Sequence, residues 1–225
     1  MKLSILTLFP EMFTDFLQTS IVGIATKKQI VSVDLINIRD FATTPSRQVD
    51  DYPYGGGGGM VLKPDVVYRA LSSIDKFKEK KVVYFTPQGK VLNQHHAEVF
   101  SKNSELILLC GHYKGIDMRI RKLFVTDEIS IGDYVLSGGE LPAMVFIDSI
   151  TRLQGGVLGN FDSARTDSFQ NGLLGHPVYT RPQEFESESV PRVLISGNHA
   201  KIEEFRLNQA KRITEKNRPD LLEKL

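Results

Sequence analysis

The sequence predicts an α/β fold with a largely parallel sheet, followed by a small helical appendage. Three apolar runs, Lys81 to Phe85, Glu105 to Cys110 and Val125 to Ile131, each end in a Gly-containing loop. Helical patterns follow the first two loops and Leu141 to Leu153 follows the third, the alternation that parallel crossover units require. At 225 residues the chain exceeds one average domain without making two, which fits one main domain and an appendage.

Lys2 to Leu8, closed by Pro10, reads as a first strand running into a helix whose apolar positions are Phe13, Phe16 and Leu17. Val31 to Ile38 alternates at period two and reads as a second strand. Asp50 to Met60 breaks the pattern with five consecutive glycines, which neither a helix nor an ordinary strand would keep. After the three strand-loop-helix units, the chain from Gln154 to Pro182 turns polar and Gly-rich and reads as a linker. Ser196-Gly197-Asn198 then starts a helix with a sparse stripe of Ile202, Phe205 and Ile213. Lys201 to Arg218 holds six basic and three acidic residues, a modestly basic face that a solvated helix also carries.

Composition narrows the function classes. Hydrophobic content of 41% with 24% charged residues excludes a disordered or fibrous chain. No apolar stretch reaches the roughly 20 residues needed to span a bilayer, so no membrane partner is expected. The opening Met1-Lys2-Leu3-Ser4-Ile5-Leu6 lacks the pattern of a secretory signal, which makes the cytoplasm the expected location. The single Cys110 excludes an internal disulfide and a thiolate-rich zinc site. A formal charge of +1 gives no global signature of nucleic-acid binding, so only local patches could betray such a partner.

The usual phosphate and nucleophile fingerprints are missing. No G-x-G-x-x-G opens a helix, Gly89-Lys90 lacks the rest of a P-loop, and no G-x-S-x-G elbow occurs. Adjacent His95 and His96 point apart on a helix and have no companion ligands, so no metal site is expected from them. What remains is the loops at Tyr84 to Gly89, Cys110 to Gly115 and Ser130 to Glu140. Any one of them reads as a tight turn. Three at the carboxyl edge of one sheet favour a pocket for a flat, polar heterocycle. Arg152 closes the helix before the linker, and by spacing alone Asp167 reads as a turn former.

Several motifs then occur in order: Phe9-Pro10-Glu11-Met12-Phe13, Val49-Asp50-Asp51 with Tyr54 to Met60, Pro87-Gln88-Gly89, Gly115-Ile116-Asp117, Ile131 to Glu140, Asp167-Ser168-Phe169, Tyr179-Thr180-Arg181-Pro182 and Ser196 to Lys201. Together, across nearly the whole chain, they resemble the bacterial tRNA (guanine-N1)-methyltransferase family of the SPOUT superfamily. The resemblance implies a SPOUT-type trefoil-knotted parallel-sheet domain at 1–154, a linker at 155–182 and a small α-helical, tRNA-binding domain at 183–225. Periodicity alone would reject a knot. It further implies an obligate homodimer, with each active site shared between subunits.

The implied activity is transfer of a methyl group from S-adenosylmethionine to N1 of guanosine-37 in tRNA, 3′ of the anticodon, which helps maintain the reading frame. The cofactor would be held by Tyr84, Thr86 and Pro87, by Gly111, Tyr113 and Gly115, and by Ser130, Ile131, Gly132, Asp133, Tyr134, Val135, Leu136, Gly138, Gly139 and Pro142. Asp167 matches the family's base for the N1 proton and Arg152 the guanidinium that stabilises charge on O6. Asp50, Gly55 and Gly59, with His199 and Lys201, match tRNA-binding positions. The chain also departs from the family pattern. Lys114 stands where members commonly have Glu, which leaves a Mg²⁺ requirement open; Gly175 stands where many have Asp, and Gly58 replaces a frequent Pro.

Overall fold

A computed structural model describes residues 1–158, 167–169 and 171–224. Residues 159–166 and 170, part of the expected linker, lie outside the described residues. The chain divides into two compact units, Met1–Gly159 and Asn160–Leu225. No helix among the described residues is long and apolar enough to cross a membrane.

In the first unit the elements run β1 (Lys2–Thr7), α1 (Thr14–Gln18), α2 (Ser20–Lys27), β2 (Ser32–Asn37), β3 (Asp50–Asp51), β4 (Val61–Leu62) and α3 (Pro64–Ser72). They continue with β5 (Lys81–Val91), α4 (Gln94–Ser101), β6 (Glu105–Leu109), α5 (Met118–Phe124), β7 (Asp127–Ser130) and α6 (Glu140–Thr151). Five strands form one sheet in the order β2-β1-β6-β5-β7, and every pairing in it is parallel.

Both faces of the sheet are covered, as an all-parallel sheet requires. Period-two alternation sends Leu3, Ile5, Val83, Phe85, Leu106 and Leu108 to one face, against Ala25, Ala97, Ala143, Phe146 and Ile150 of α2, α4 and α6. Leu6, Val82, Tyr84, Ile107 and Leu109 face the other way, against Val66, Val67, Ala70 and Leu71 of α3 and Ile120 of α5. The sequence reading assigned no helix at α3, yet its signals are local. Pro64 occupies the first turn, Asp65 accepts from Arg69 one turn on at 2.8 Å, and the four buried positions share one face.

The expected strand ending at Phe85 instead resumes and runs to Val91. Phe85 and Lys90 both stand opposite Ile129 of β7, so Thr86–Gly89 leave the ladder as a four-residue excursion and then rejoin it. The Thr86–Gly89 excursion of β5 therefore lies beside the carboxyl ends of β6 and β7, each of which is followed by a loop.

Among its described residues the second unit has a short antiparallel ladder, β8 (Glu184–Phe185) with β9 (Glu188–Ser189), and one long helix, α7 (His199–Asn217). Asn198 caps α7, its side-chain oxygen accepting from the Lys201 N–H at 3.2 Å. The expected stripe of Ile202, Phe205 and Ile213 is half-buried; the buried positions are Ala210 and Thr214. The Thr214 hydroxyl donates to the Ala210 carbonyl at 2.8 Å and accepts from the Leu174 N–H at 2.9 Å, which fastens the preceding segment to the helix.

Candidate functional site

The three loops line a single pocket of about 290 Å³, at the excursion within β5 and the carboxyl ends of β6 and β7. Its floor is Tyr84, whose ring is 4% exposed beneath the second loop. A Cβ built on Gly111 would stand 2.8 Å from that ring, so only glycine lets the loop lie on it. Burial pushes the Tyr84 phenol above its ordinary value, which keeps it neutral near pH 7. The Arg121 guanidinium sits 5.4 Å over the same ring. It donates twice to Glu128, at 2.8 Å each, and once to Gln88 at 2.7 Å, tying α5 to β7 and to the first loop. Those hydrogen bonds hold the Glu128 carboxyl below the usual carboxylate range.

Second and third loops are pressed together. The Gly139 N–H donates to the Gly111 carbonyl at 2.8 Å, and His112 and Gly138 form an isolated antiparallel bridge. A Cβ on Gly139 would meet the Cys110 Cα at 2.7 Å, so side-chain bulk at 139 would force the loops apart. Behind them lies Glu140, the first residue of α6, only 1% exposed. Its carboxyl accepts from the Thr7 hydroxyl at 2.6 Å and lies 3.0 Å from His112 Nε2, and its place at a helix N-terminus suits an anionic group. The Phe9 ring packs on His112 with centroids 4.9 Å apart. Burial, reinforced by the charge of Glu140, pushes the Cys110 thiol well above its ordinary value.

Of the residues expected to hold the cofactor, all line this pocket except Asp133, which is exposed outside its lining. Phe85, His112, Lys114, Ile129 and Ser137 also line it and were not singled out as cofactor contacts. All five adjoin expected positions, so adjacency in the loops is the available signal. Lys114 stood out only as a departure from the family pattern.

The expected chemical pair is divided between the units. Arg152 is exposed at the C-terminal end of α6, where its N–H donates to the Asp148 carbonyl at 3.2 Å. Asp167 is exposed in the second unit, two residues before Phe169, whose N–H donates to the Leu173 carbonyl at 2.7 Å. Among the expected tRNA contacts, Asp50 lies in β3 opposite Leu62. Gly55 and Gly59 belong to the glycine loop with φ of 84° and 91°, near the exposed Tyr52 and Tyr54. That loop returns beside the pocket, because the Lys114 N–H donates to the Met60 carbonyl at 2.9 Å and the Leu62 N–H to the Gly115 carbonyl at 3.0 Å. His199 and Lys201 lie in the first turn of α7. In the second unit His199 lines a separate cavity of about 640 Å³ together with His176, Tyr179, Arg181 and Arg206.

The sequence is 54% identical over 225 residues to a tRNA (guanine-N(1)-)-methyltransferase of Brevibacillus brevis, covering 100% of this chain and 93% of that protein. A protein of the same name from Clostridioides difficile is 51% identical over 227 residues, with 100% and 98% covered. One from Anoxybacillus flavithermus is 53% identical over 225 residues, with 99% and 92% covered. The family model described as tRNA (Guanine-1)-methyltransferase TrmD matches residues 1–224, and the chain belongs to that family.

Proposed function

We propose that the chain transfers the methyl group of S-adenosylmethionine to N1 of the guanosine at tRNA position 37, 3′ of the anticodon, and so helps hold the reading frame. The observation that carries this reading is the three-loop pocket, in a chain that matches proteins named tRNA (guanine-N(1)-)-methyltransferase along almost its whole length. The pocket suits the donor. Tyr84, Ile131, Leu136 and Pro142 offer apolar faces, and the Gly-rich loops offer backbone donors and acceptors to a heterocycle edge without bulky side chains between. When bound, S-adenosylmethionine supplies a methyl carbon made electrophilic by its sulfonium.

The chain's own residues do the rest. Guanine N1 carries a proton at neutral pH, so a base must stand within hydrogen-bond reach, and Asp167 takes that role. As N1 takes the methyl group from the donor's sulfur, the Asp167 carboxylate would accept the N1 proton, so that the base leaves neutral and the donor loses its positive charge. Arg152 offsets the negative charge that moves onto O6. Holding donor and base in line removes the entropy cost of their encounter.

The same reading includes a trefoil knot through the three loops, a domain order of 1–154, 155–182 and 183–225, and a cytoplasmic location. Support for the knot comes from the Thr86–Gly89 excursion and from the seating of Gly138 and Gly139 on the second loop. A homodimer sharing its active sites is part of it too. Leu141 and Val145, one turn apart on α6, are 50% and 48% exposed, an apolar face that a second copy would cover. The glycine loop and the basic cavity beside His199 would contact RNA.

Nucleoside mass spectrometry of tRNA incubated with enzyme and donor tests the reading, and 1-methylguanosine is the expected product. A ribose-methylated product overturns base transfer. Asp167→Asn should abolish transfer with donor affinity unchanged, and near-normal turnover would remove Asp167 as the base.

A further inference from the structure

The family resemblance brings Mg²⁺ as an accessory, and the donor set at the pocket does not fit it. Magnesium takes oxygen ligands in a near-octahedral shell and is usually anchored by one or two carboxylates. No carboxylate lines the pocket among the described residues. Three acids of the first unit that adjoin the lining in sequence, or lie within two residues of it, have other partners or positions. Glu140 is buried behind the lining and engaged by Thr7 and His112. Asp117 accepts from the Arg119 guanidinium at 2.9 and 2.8 Å and from the Arg119 N–H at 2.8 Å, capping α5. Asp133 is exposed outside the lining.

The lining instead carries an ammonium. Lys114 is exposed and lines the pocket, with no ion pair to a carboxylate among the described residues. Its backbone is fixed by its N–H on the Met60 carbonyl, and the next residue accepts from the Leu62 N–H. Its stem lies along Gly59, where a Cβ would meet the Lys114 Cγ at 2.9 Å and Cε at 3.1 Å. The glycine run therefore leaves the space that this side chain fills, at the border between the pocket and the loop proposed to face RNA. A cation held there repels a divalent ion and attracts an anionic oxygen.

We propose that the Lys114 ammonium, rather than a divalent ion, supplies the positive charge at this border, so that methyl transfer by this chain needs no metal coordinated in the pocket. Its partner is an anionic oxygen, from either the donor's carboxylate or an RNA phosphate. The inference rests on the methyl-transfer reading, which the production of 1-methylguanosine in Mg²⁺ establishes separately.

Single-turnover transfer is measured with tRNA kept folded by Mg²⁺, or by cobalt hexammine with EDTA present. Cobalt hexammine neutralises phosphates but offers no open coordination sites. The parent rate should agree within about 2-fold between the two conditions, whereas a pocket metal contributing as a Lewis acid would make it fall by about 10-fold or more. Such a fall overturns the proposal. Lys114→Met keeps the stem and removes the charge. It should lose about 10-fold in efficiency in both conditions, with Lys114→Arg restoring most of it. Weaker donor binding by Lys114→Met without RNA identifies the carboxylate as partner; a raised KM for tRNA at unchanged donor affinity identifies the phosphate. Parent-like values in both measurements overturn the proposal. As a readout apart from catalysis, Mn²⁺ binding followed by electron paramagnetic resonance should appear with Lys114→Glu and not with the parent; Mn²⁺ bound in the parent pocket counts against the inference.

Discussion

Gly139→Ala tests the junction on which the pocket depends. The added Cβ would stand 2.7 Å from the Cys110 Cα and 2.9 Å from the Gly111 nitrogen, both backbone atoms that cannot swing aside. Gly139 has φ −83° and ψ −4°, which alanine adopts freely, so the effect is one of contact and not of backbone strain. Overpacking of this kind costs about 1–3 kcal/mol. Drawing residue 139 back also stretches the 2.8 Å bond to the Gly111 carbonyl, which contributes about 0.5–1.5 kcal/mol. The sum is about 1.5–4.5 kcal/mol, and at about 2–4 °C per kcal/mol for a chain of this size Tm falls by about 3–18 °C. Donor affinity should fall about 10-fold, equivalent to about 1.4 kcal/mol, because the third loop no longer seats on the second. Thermal melts and calorimetric titration with S-adenosylmethionine read both quantities. Gly58→Ala is the control: nothing lies within 4 Å of its Cβ position and its φ is not in the left-handed region, so it should be neutral or raise stability by up to about 1 kcal/mol. A Gly139→Ala protein that melts within about 1 °C of the parent and binds the donor equally well would refute the reasoning.

Two further substitutions test the supports around the pocket. Glu128→Gln breaks the paired hydrogen bonds from Arg121; with the side chains 30% and 13% exposed, the loss near pH 7 should be about 1–2 kcal/mol after allowance for solvent screening. Because the folded carboxyl is held below its ordinary 4.5, its contribution is complete above that value and disappears as pH falls through the folded one. Urea midpoints of parent and variant should therefore differ by a constant amount in the neutral range and converge in acid, and a gap that widens on acidification would contradict the pairing. Thr7→Val removes the hydroxyl that donates to the buried Glu140 and should destabilise by about 2–3 kcal/mol in chemical denaturation, whereas an unchanged midpoint would show that Glu140 does not rely on Thr7.

What the sequence revealed depended on how local each signal was. The strands announced themselves because apolar runs such as Leu106 to Cys110 feed both faces of a buried parallel sheet. Pocket loops were legible because glycine clusters at strand ends have few other uses, although only the motif resemblance attached a cofactor to them. The Thr7, His112 and Glu140 constellation stayed hidden because its members lie 133 and 28 positions apart, and only β1 beside β6 with α6 behind brings them together. The return of β5 after Phe85 was hidden for the opposite reason. Its four-residue excursion carries Pro87 and Gly89, which read as the end of a strand rather than an interruption. Asp167 reads from its neighbours as a turn residue, and nothing in its spacing marks it as a base.

The pocket's chemistry bears on the proposal that the base is Asp167. A group that takes the guanine N1 proton must be unprotonated near pH 7 and free to face the substrate. Inside the pocket, Tyr84 is buried with its phenol pushed up, and Cys110 behind it is buried with its thiol pushed up further. Glu140 carries the right functional group but is sealed, its two oxygens occupied by Thr7 and His112, and the ring nitrogen of His112 that meets it is thereby committed as well. The remaining polar lining is hydroxyls, backbone and the Lys114 ammonium. Among the described residues, such a surface offers no carboxylate to take the proton. The base proposed above, Asp167, is a carboxylate of the second unit, in the segment that resembles the family's motif.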